Sequence, residues 1–135
     1  MYSKCTAPSS FSCTGLTNGD IVAPQTLTFA WSGAAAGTNN SITGYTIYYK
    51  IASSLTYPTI SDNSGTITIS STSTSGTKTW SLSGNRGSYI AFKILTKGTV
   101  TGYDSDLSSV SFYVKFNTVP TVPTVTYNSS AVTSI

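Results

Sequence analysis

Large apolar side chains recur at every second position along much of this chain. Leu27, Phe29 and Trp31 alternate with Thr28 and Ala30, and the rhythm returns in Tyr45, Ile47, Tyr49 and Ile51, in Ile67 and Ile69, in Trp80 and Leu82, in Ile90, Phe92 and Ile94, and in Val110, Phe112 and Val114. Successive side chains of an extended strand point to opposite faces, so this spacing puts an apolar row on one side of each strand and a polar row on the other. An amphipathic helix would need apolar positions at i, i+3, i+4 and i+7, and no segment of ten or more residues offers them. The pattern predicts an all-β chain whose strands each bury one face.

The breaks between these runs are turn-like. A small-residue loop occupies 32–40, and Tyr57-Pro58 marks an edge strand or a turn, because proline cannot donate to a ladder. The polar stretch 70–77 reads as a loop or a solvent-facing edge, Ser83-Gly84-Asn85-Arg86-Gly87 as a turn, and 98–106 as a connection. With a first strand near Phe11 to Leu16, the count comes to about seven strands, as in an antiparallel immunoglobulin-like sandwich. From Asn117 the character changes: Pro120 and Pro123 punctuate a valine-rich run that reads as an extended linker. We therefore expect a sandwich over residues 1–116 and an arm over 117–135. Two readings of the arm stay open: the first strand of a second module, or an inter-subunit arm in which Val119, Val122, Val125 and Tyr127 pair with a neighbouring chain.

Several of these residues carry a family resemblance. Trp31 in the second strand, the run from Ile42 to Tyr49, Leu82 before a turn, and Gly102-Tyr103-Asp104-Ser105-Asp106-Leu107-Ser108 resemble a fibronectin type III domain over roughly residues 5–116. Cys5-Thr6-Ala7-Pro8, Trp31-Ser32-Gly33-Ala34 and Gly102-Tyr103-Asp104-Ser105 resemble, more narrowly, modules of bacteriophage tail and minor structural proteins. The resemblance implies a tyrosine corner at the start of the sixth strand, yet alternation turns Ile90 inward and Tyr89 outward, which departs from that pattern unless a bulge intervenes.

Only 8% of the residues are charged, against about 25% in ordinary soluble proteins. Serine and threonine, roughly a third of the chain, must supply the solvation, and threonine suits a pleated sheet. The net charge of +3 is spread over Lys4, Lys50, Lys78, Arg86, Lys93, Lys97 and Lys115 with no run among them, so the linear sequence offers no nucleic-acid stripe. The first eight residues contain no apolar h-region, and no 18 apolar residues run together, so neither ordinary export nor membrane spanning is expected.

The inventory for catalysis is thin. There is no histidine, and the only acids are Asp20, Asp62, Asp104 and Asp106, so no acid–base pair or activated serine can be assembled from the sequence, and no catalytic residue, cofactor or metal site is assigned. Asp104 and Asp106 make at best a weak oxygen-rich corner for calcium, and a turn with solvated acids is the plainer reading. Cys5 and Cys13 read as reduced thiols, with Cys13 buried, the alternative being a disulfide if the chain bends between them. Trp31, Tyr45, Trp80 and Phe92 are read as packing residues, whereas Tyr48, Tyr57, Tyr103 and Tyr113 turn outward and are the candidate contacts for a glycan or a partner protein.

These observations lead to the expectation of a non-catalytic virion protein, a capsid decoration or tail component acting through contacts with other virion subunits. Such a protein would assemble in the host cytoplasm and leave by lysis. The competing expectation is a carbohydrate- or receptor-binding module of a tail fibre, or of a secreted or cell-surface protein, contacting a host glycan. Sheet edges poor in charge would also let a partner strand add to them.

Overall fold

The computed structural model describes residues 1–118, and the proposed arm residues Val119, Val122, Val125 and Tyr127 lie outside them. Eight strands follow in chain order: β1 (Ser10–Cys13), β2 (Ile21–Val22), β3 (Thr26–Ser32), β4 (Ile42–Ala52), β5 (Gly65–Ile69), β6 (Gly76–Ser81), β7 (Tyr89–Gly98) and β8 (Phe112–Phe116). They form a three-stranded sheet in the order β1-β3-β6 and a five-stranded sheet in the order β2-β8-β7-β4-β5. No helix occurs among the described residues. Every pairing is antiparallel except that of β2 with β8, where Ile21 and Val22 run parallel to Lys115 and Phe116. The expected count of about seven strands, all antiparallel, misses this element because two residues are too few to display an alternation.

Alternation places the core. The inward row of β3, Leu27, Phe29 and Trp31, faces Tyr45 and Ile47 of β4, Ile90, Phe92 and Ile94 of β7, and Phe112, Val114 and Phe116 of β8, all of them buried. Aromatic rings join the two sheets. Phe29 meets Phe92 edge-on at 4.8 Å and stacks on Phe11 at 5.7 Å, while Trp80 reaches across to Tyr49 at 4.8 Å and to Phe92 at 5.9 Å. Each such side chain contributes about 1.5–3 kcal/mol by leaving water, which identifies this inter-sheet layer as the main source of stability. Gly76 is part of the fit, because a Cβ there would lie 2.9 Å from the Trp31 ring.

The edges differ from one another. Lys78 stands opposite Phe29 on the core-facing side of edge strand β6, where its stem lies along apolar surface and its ammonium must reach solvent, an arrangement that discourages a further strand from adding. Edge strand β5 carries no charge. The 104–110 segment satisfies β7 without being a strand. Ile94 and Thr96 donate their N–H groups to the hydroxyls of Ser108 and Ser105, at 3.2 and 2.8 Å, and their carbonyls accept from the backbone of the same two serines. The β6–β7 turn is built from Gly84, Asn85 and Gly87, all at positive φ, a region that glycine and asparagine tolerate.

The two ends of the sandwich are tied by different devices. At the Gly98 end of β7 the first residues of the chain lie between the 33–41 and 99–103 loops. Thr6 bridges Ala35, Cys5 donates its N–H to the Tyr103 carbonyl, and the Thr96 hydroxyl donates to the Thr6 carbonyl. Asn40 knits this end together, its Nδ2 donating to the carbonyls of Ser3 and Tyr103 while its Oδ1 accepts from Thr99 Oγ1 and the Val100 N–H. At the Tyr89 end, Arg86 donates to Asn117 Oδ1 at 2.8 Å and the Asn117 N–H to the Val22 carbonyl. The ten residues of β7 separate these ends by about 33 Å.

Candidate functional site

The residues that turn away from the core on the five-stranded sheet form a face with a distinct chemistry. In register across it, Tyr48 of β4 lies opposite Lys93 of β7, Lys50 opposite Ala91, and Ala91 in turn opposite Tyr113 of β8. Tyr89 lies opposite Lys115, which pairs on its other side with Ile21, an exposed apolar side chain of β2. Two aromatic–cation groups result. The Lys93 ammonium stands 5.8 Å from the centre of the Tyr57 ring, with Tyr48 beside it on the neighbouring strand. The Lys115 ammonium stands 5.1 Å from the Tyr89 ring, whose centre is 6.3 Å from that of Tyr113. Ala91, small and fully buried, lies between the groups with Lys50 and Tyr113 on either side of it.

Tyr57 reaches this face from the 53–64 loop, and that loop is well tied. Lys50 and Asp62 form an ion pair at 2.7 Å, the Asp62 N–H donates to Thr59 Oγ1, and Asn63 Nδ2 donates to the carbonyls of Thr59 and Ile60. Proline at 58 is fully buried, so Tyr57-Pro58 is a packed loop rather than an edge strand. Of the four tyrosines singled out from the sequence, the fold thus brings Tyr48, Tyr57 and Tyr113 onto one face. Tyr103 lies apart, at the Gly98 end, with its ring 5.7 Å from that of Tyr2. Tyr89, which the alternation through Ile90 turns outward but which was not among the candidate contacts, joins the face in its place. The same parity removes the tyrosine corner at this position, because Tyr89 turns outward while Ile90 is fully buried.

The acids are engaged elsewhere. Asp104 accepts from the Gly98 N–H, Asp106 from the Lys4 ammonium at 2.9 Å, and Asp20 from the Thr17 N–H. Asp104 and Asp106 therefore serve different partners, and among the described residues no group of three or more His, Cys, Asp or Glu could hold a metal ion. Two ion pairs are formed among the described residues, Lys4–Asp106 and Lys50–Asp62, which leaves the ammonium groups of Lys78, on the other sheet, and of Lys93, Lys97 and Lys115 without a carboxylate partner there.

The buried reactive groups are inward-facing. Cys5 and Cys13 are both free and buried. Burial pushes the Cys13 thiol up to about 12 from an ordinary value of 9.0. The neutral thiol is thus the favoured form in the fold, and the stability it contributes is complete below about pH 9 and declines as pH rises from there toward 12. Cys13 in native protein is expected to resist iodoacetamide near pH 8 and to react rapidly in urea, as followed by mass spectrometry. Equal labelling rates in the two states would show that the thiol is not enclosed. Tyr45 donates its hydroxyl to the Ser73 carbonyl, and burial raises its pKa; the nearby Trp31 indole N–H holds that rise back, and Cys5 adds to it. The Trp31 Nε1 is itself buried without a partner of proper hydrogen-bond geometry.

Comparison with solved structures gives a likeness of fold. No family profile and no curated protein sequence matches the chain. A solved structure of α-L-rhamnosidase from Dictyoglumus thermophilum superposes on 87% of this chain with a TM-score of 0.54 and 18% identity. The chain spans about 13% of that enzyme's length, and at this identity the likeness concerns the fold of one all-β region.

Proposed function

We propose that the chain is a non-catalytic, fibronectin type III-like module of a bacteriophage virion, a decoration or tail component that joins its neighbours through its ends and edges. With the two-residue β2 set aside, seven strands remain, the first, second and fifth in one sheet and the third, fourth, sixth and seventh in the other. That division, together with Trp31, the Ile42 to Tyr49 strand and the Gly102 to Ser108 segment, supports the family reading. The observation that carries the functional reading is the placement of the chain. Residues 1–7 are fastened at one end of β7 and residues 116–118 at the other, so modules can follow one another in line while the broad sheet faces remain on the flank. A hydroxyl-rich surface with little charge is readily desolvated against neighbouring subunits.

Gradient-purified particles produced from a genome carrying this sequence should contain the chain by mass spectrometry and bind antibody raised against it. Particles that lack it would overturn the proposal. A second reading, a carbohydrate- or receptor-binding module, is favoured by one observation, the gathering of Tyr48, Tyr57, Tyr89 and Tyr113 on a single face. The two are compatible, since a virion component joined at its ends can present that face to a host surface.

A further inference from the structure

We infer that the outer face of the five-stranded sheet binds an anionic polysaccharide, one bearing phosphodiesters or carboxylates along its chain. This rests on the reading of that face as a contact surface and adds the chemistry of what it contacts.

Charge complementarity carries the inference. Of seven cationic side chains in the sequence, Lys50, Lys93, Lys97 and Lys115 alternate outward on β4, β7 and β8 of this one sheet. Asp62 neutralises Lys50 at the rim, and the other three acids are held by Gly98, Lys4 and Thr17. The face therefore keeps three ammonium groups free of carboxylate partners among the described residues. A ring held below an ammonium does not consume its charge or its N–H donors, so Lys93 over Tyr57 and Lys115 over Tyr89 are restrained in direction yet open to an anion.

The spacing favours a polymer over a single sugar. Tyr89 and Lys93 are four residues apart on β7, about 13 Å, with the buried Ala91 between them. The C–H faces of successive sugar rings can rest on the Tyr48–Tyr57 and Tyr89–Tyr113 groups while anionic substituents meet Lys93 and Lys115. A neutral glycan would use the tyrosines and leave the lysines idle. An acidic protein would use the lysines, but a face on which partly exposed tyrosines flank both Lys93 and Lys115 suits a chain of repeating flat units.

The full chain should be tested by isothermal titration and by pull-down on poly(glycerol phosphate) teichoic acid, polygalacturonate, neutral dextran, poly-glutamate and single-stranded DNA. Binding to teichoic acid, polygalacturonate or both, well above dextran, is expected, and the two arms tell phosphate from carboxylate. The affinity should fall about tenfold in the Lys93→Gln/Lys115→Gln double variant, should fall similarly in Tyr89→Ala, and should weaken as salt is raised. Circular dichroism matching the parent would show that these surface variants fold. Dextran bound as tightly as the anionic polymers, or a double variant that binds unchanged, would overturn the anionic assignment and leave the face as a contact surface. Poly-glutamate or single-stranded DNA bound more tightly than either polysaccharide would overturn the polysaccharide assignment. If no polymer binds, the inference fails, while particle incorporation, measured separately, still decides the virion proposal.

Discussion

Replacing Phe29 with alanine is expected to lower the unfolding free energy by about 3–5 kcal/mol, the range for removing a buried phenylalanine and leaving a cavity. Phe29 is fully buried at the centre of β3, with rings of Phe11, Trp80 and Phe92 around it, so it bridges both sheets and touches the aromatic neighbours of each. A domain of this size has a total stability of about 5–15 kcal/mol, so the variant should unfold at far lower urea concentration or fail to accumulate as folded protein. A Phe29→Leu change, which keeps most of the volume, should cost about half as much or less. Urea titrations followed by tryptophan fluorescence would report both, since Trp80 packs directly on Phe29. A Phe29→Ala midpoint within error of the parent would mean that the two sheets do not meet through this residue.

Removing the Asn40 side chain should have the second-largest effect, and a local one. Four hydrogen bonds converge on it, from or to Ser3, Thr99, Val100 and Tyr103, so one side chain adds to the backbone bonds that already tie three separate segments together. Each is worth about 0.5–1.5 kcal/mol net, and some of the freed groups will find water at this end of the molecule, so Asn40→Ala is expected to cost about 2–4 kcal/mol. Asn40→Asp would be nearly as damaging, because a carboxylate cannot donate to the Ser3 and Tyr103 carbonyls. The loss should appear first as release of the N-terminal segment. Cys5, a buried residue of that segment, should become reactive toward iodoacetamide in the variant at denaturant concentrations where Cys13 is still protected. Cys5 and Cys13 reacting together, in one global step, would show that Asn40 supports the whole sandwich and not this end in particular.

Much of the fold was legible in the residues. The alternating rows name nearly the whole inter-sheet layer, from Leu27, Phe29 and Trp31 to Phe112 and Val114, because the orientation of a strand side chain depends on its own position and nothing further away. Tyr45 and Trp31 are packed together in that layer, at 5.0 Å between rings. What the rows did not reveal were features made by pairing. Strand β2 exists because two residues meet β8 in parallel, and Ser105 and Ser108 are buried because their hydroxyls complete the hydrogen bonding of β7. Asn40 looks like one more polar residue in a small-residue loop until the Ser3, Thr99 and Tyr103 segments are brought to it.

The candidate face divides in the same way. Tyr48, Tyr57 and Tyr113 could be marked as outward, but Tyr103 has the same composition around it and ends at the far end of the molecule, beside Tyr2. The lysines are scattered along the chain, 43 positions separating Lys50 from Lys93, and only the β4–β7 pairing makes them neighbours.

By itself, the order of residues determined that this protein is built from strands and which side of each strand meets the interior, since a period of two is a local property of extended backbone. Tertiary structure alone decided which strands lie side by side, and hence that Lys93 stands between Tyr48 and Tyr57 and Lys115 between Ile21 and Tyr89. Adjacency of that kind is chosen by long-range closure among all the strands at once, and no short stretch of sequence contains it.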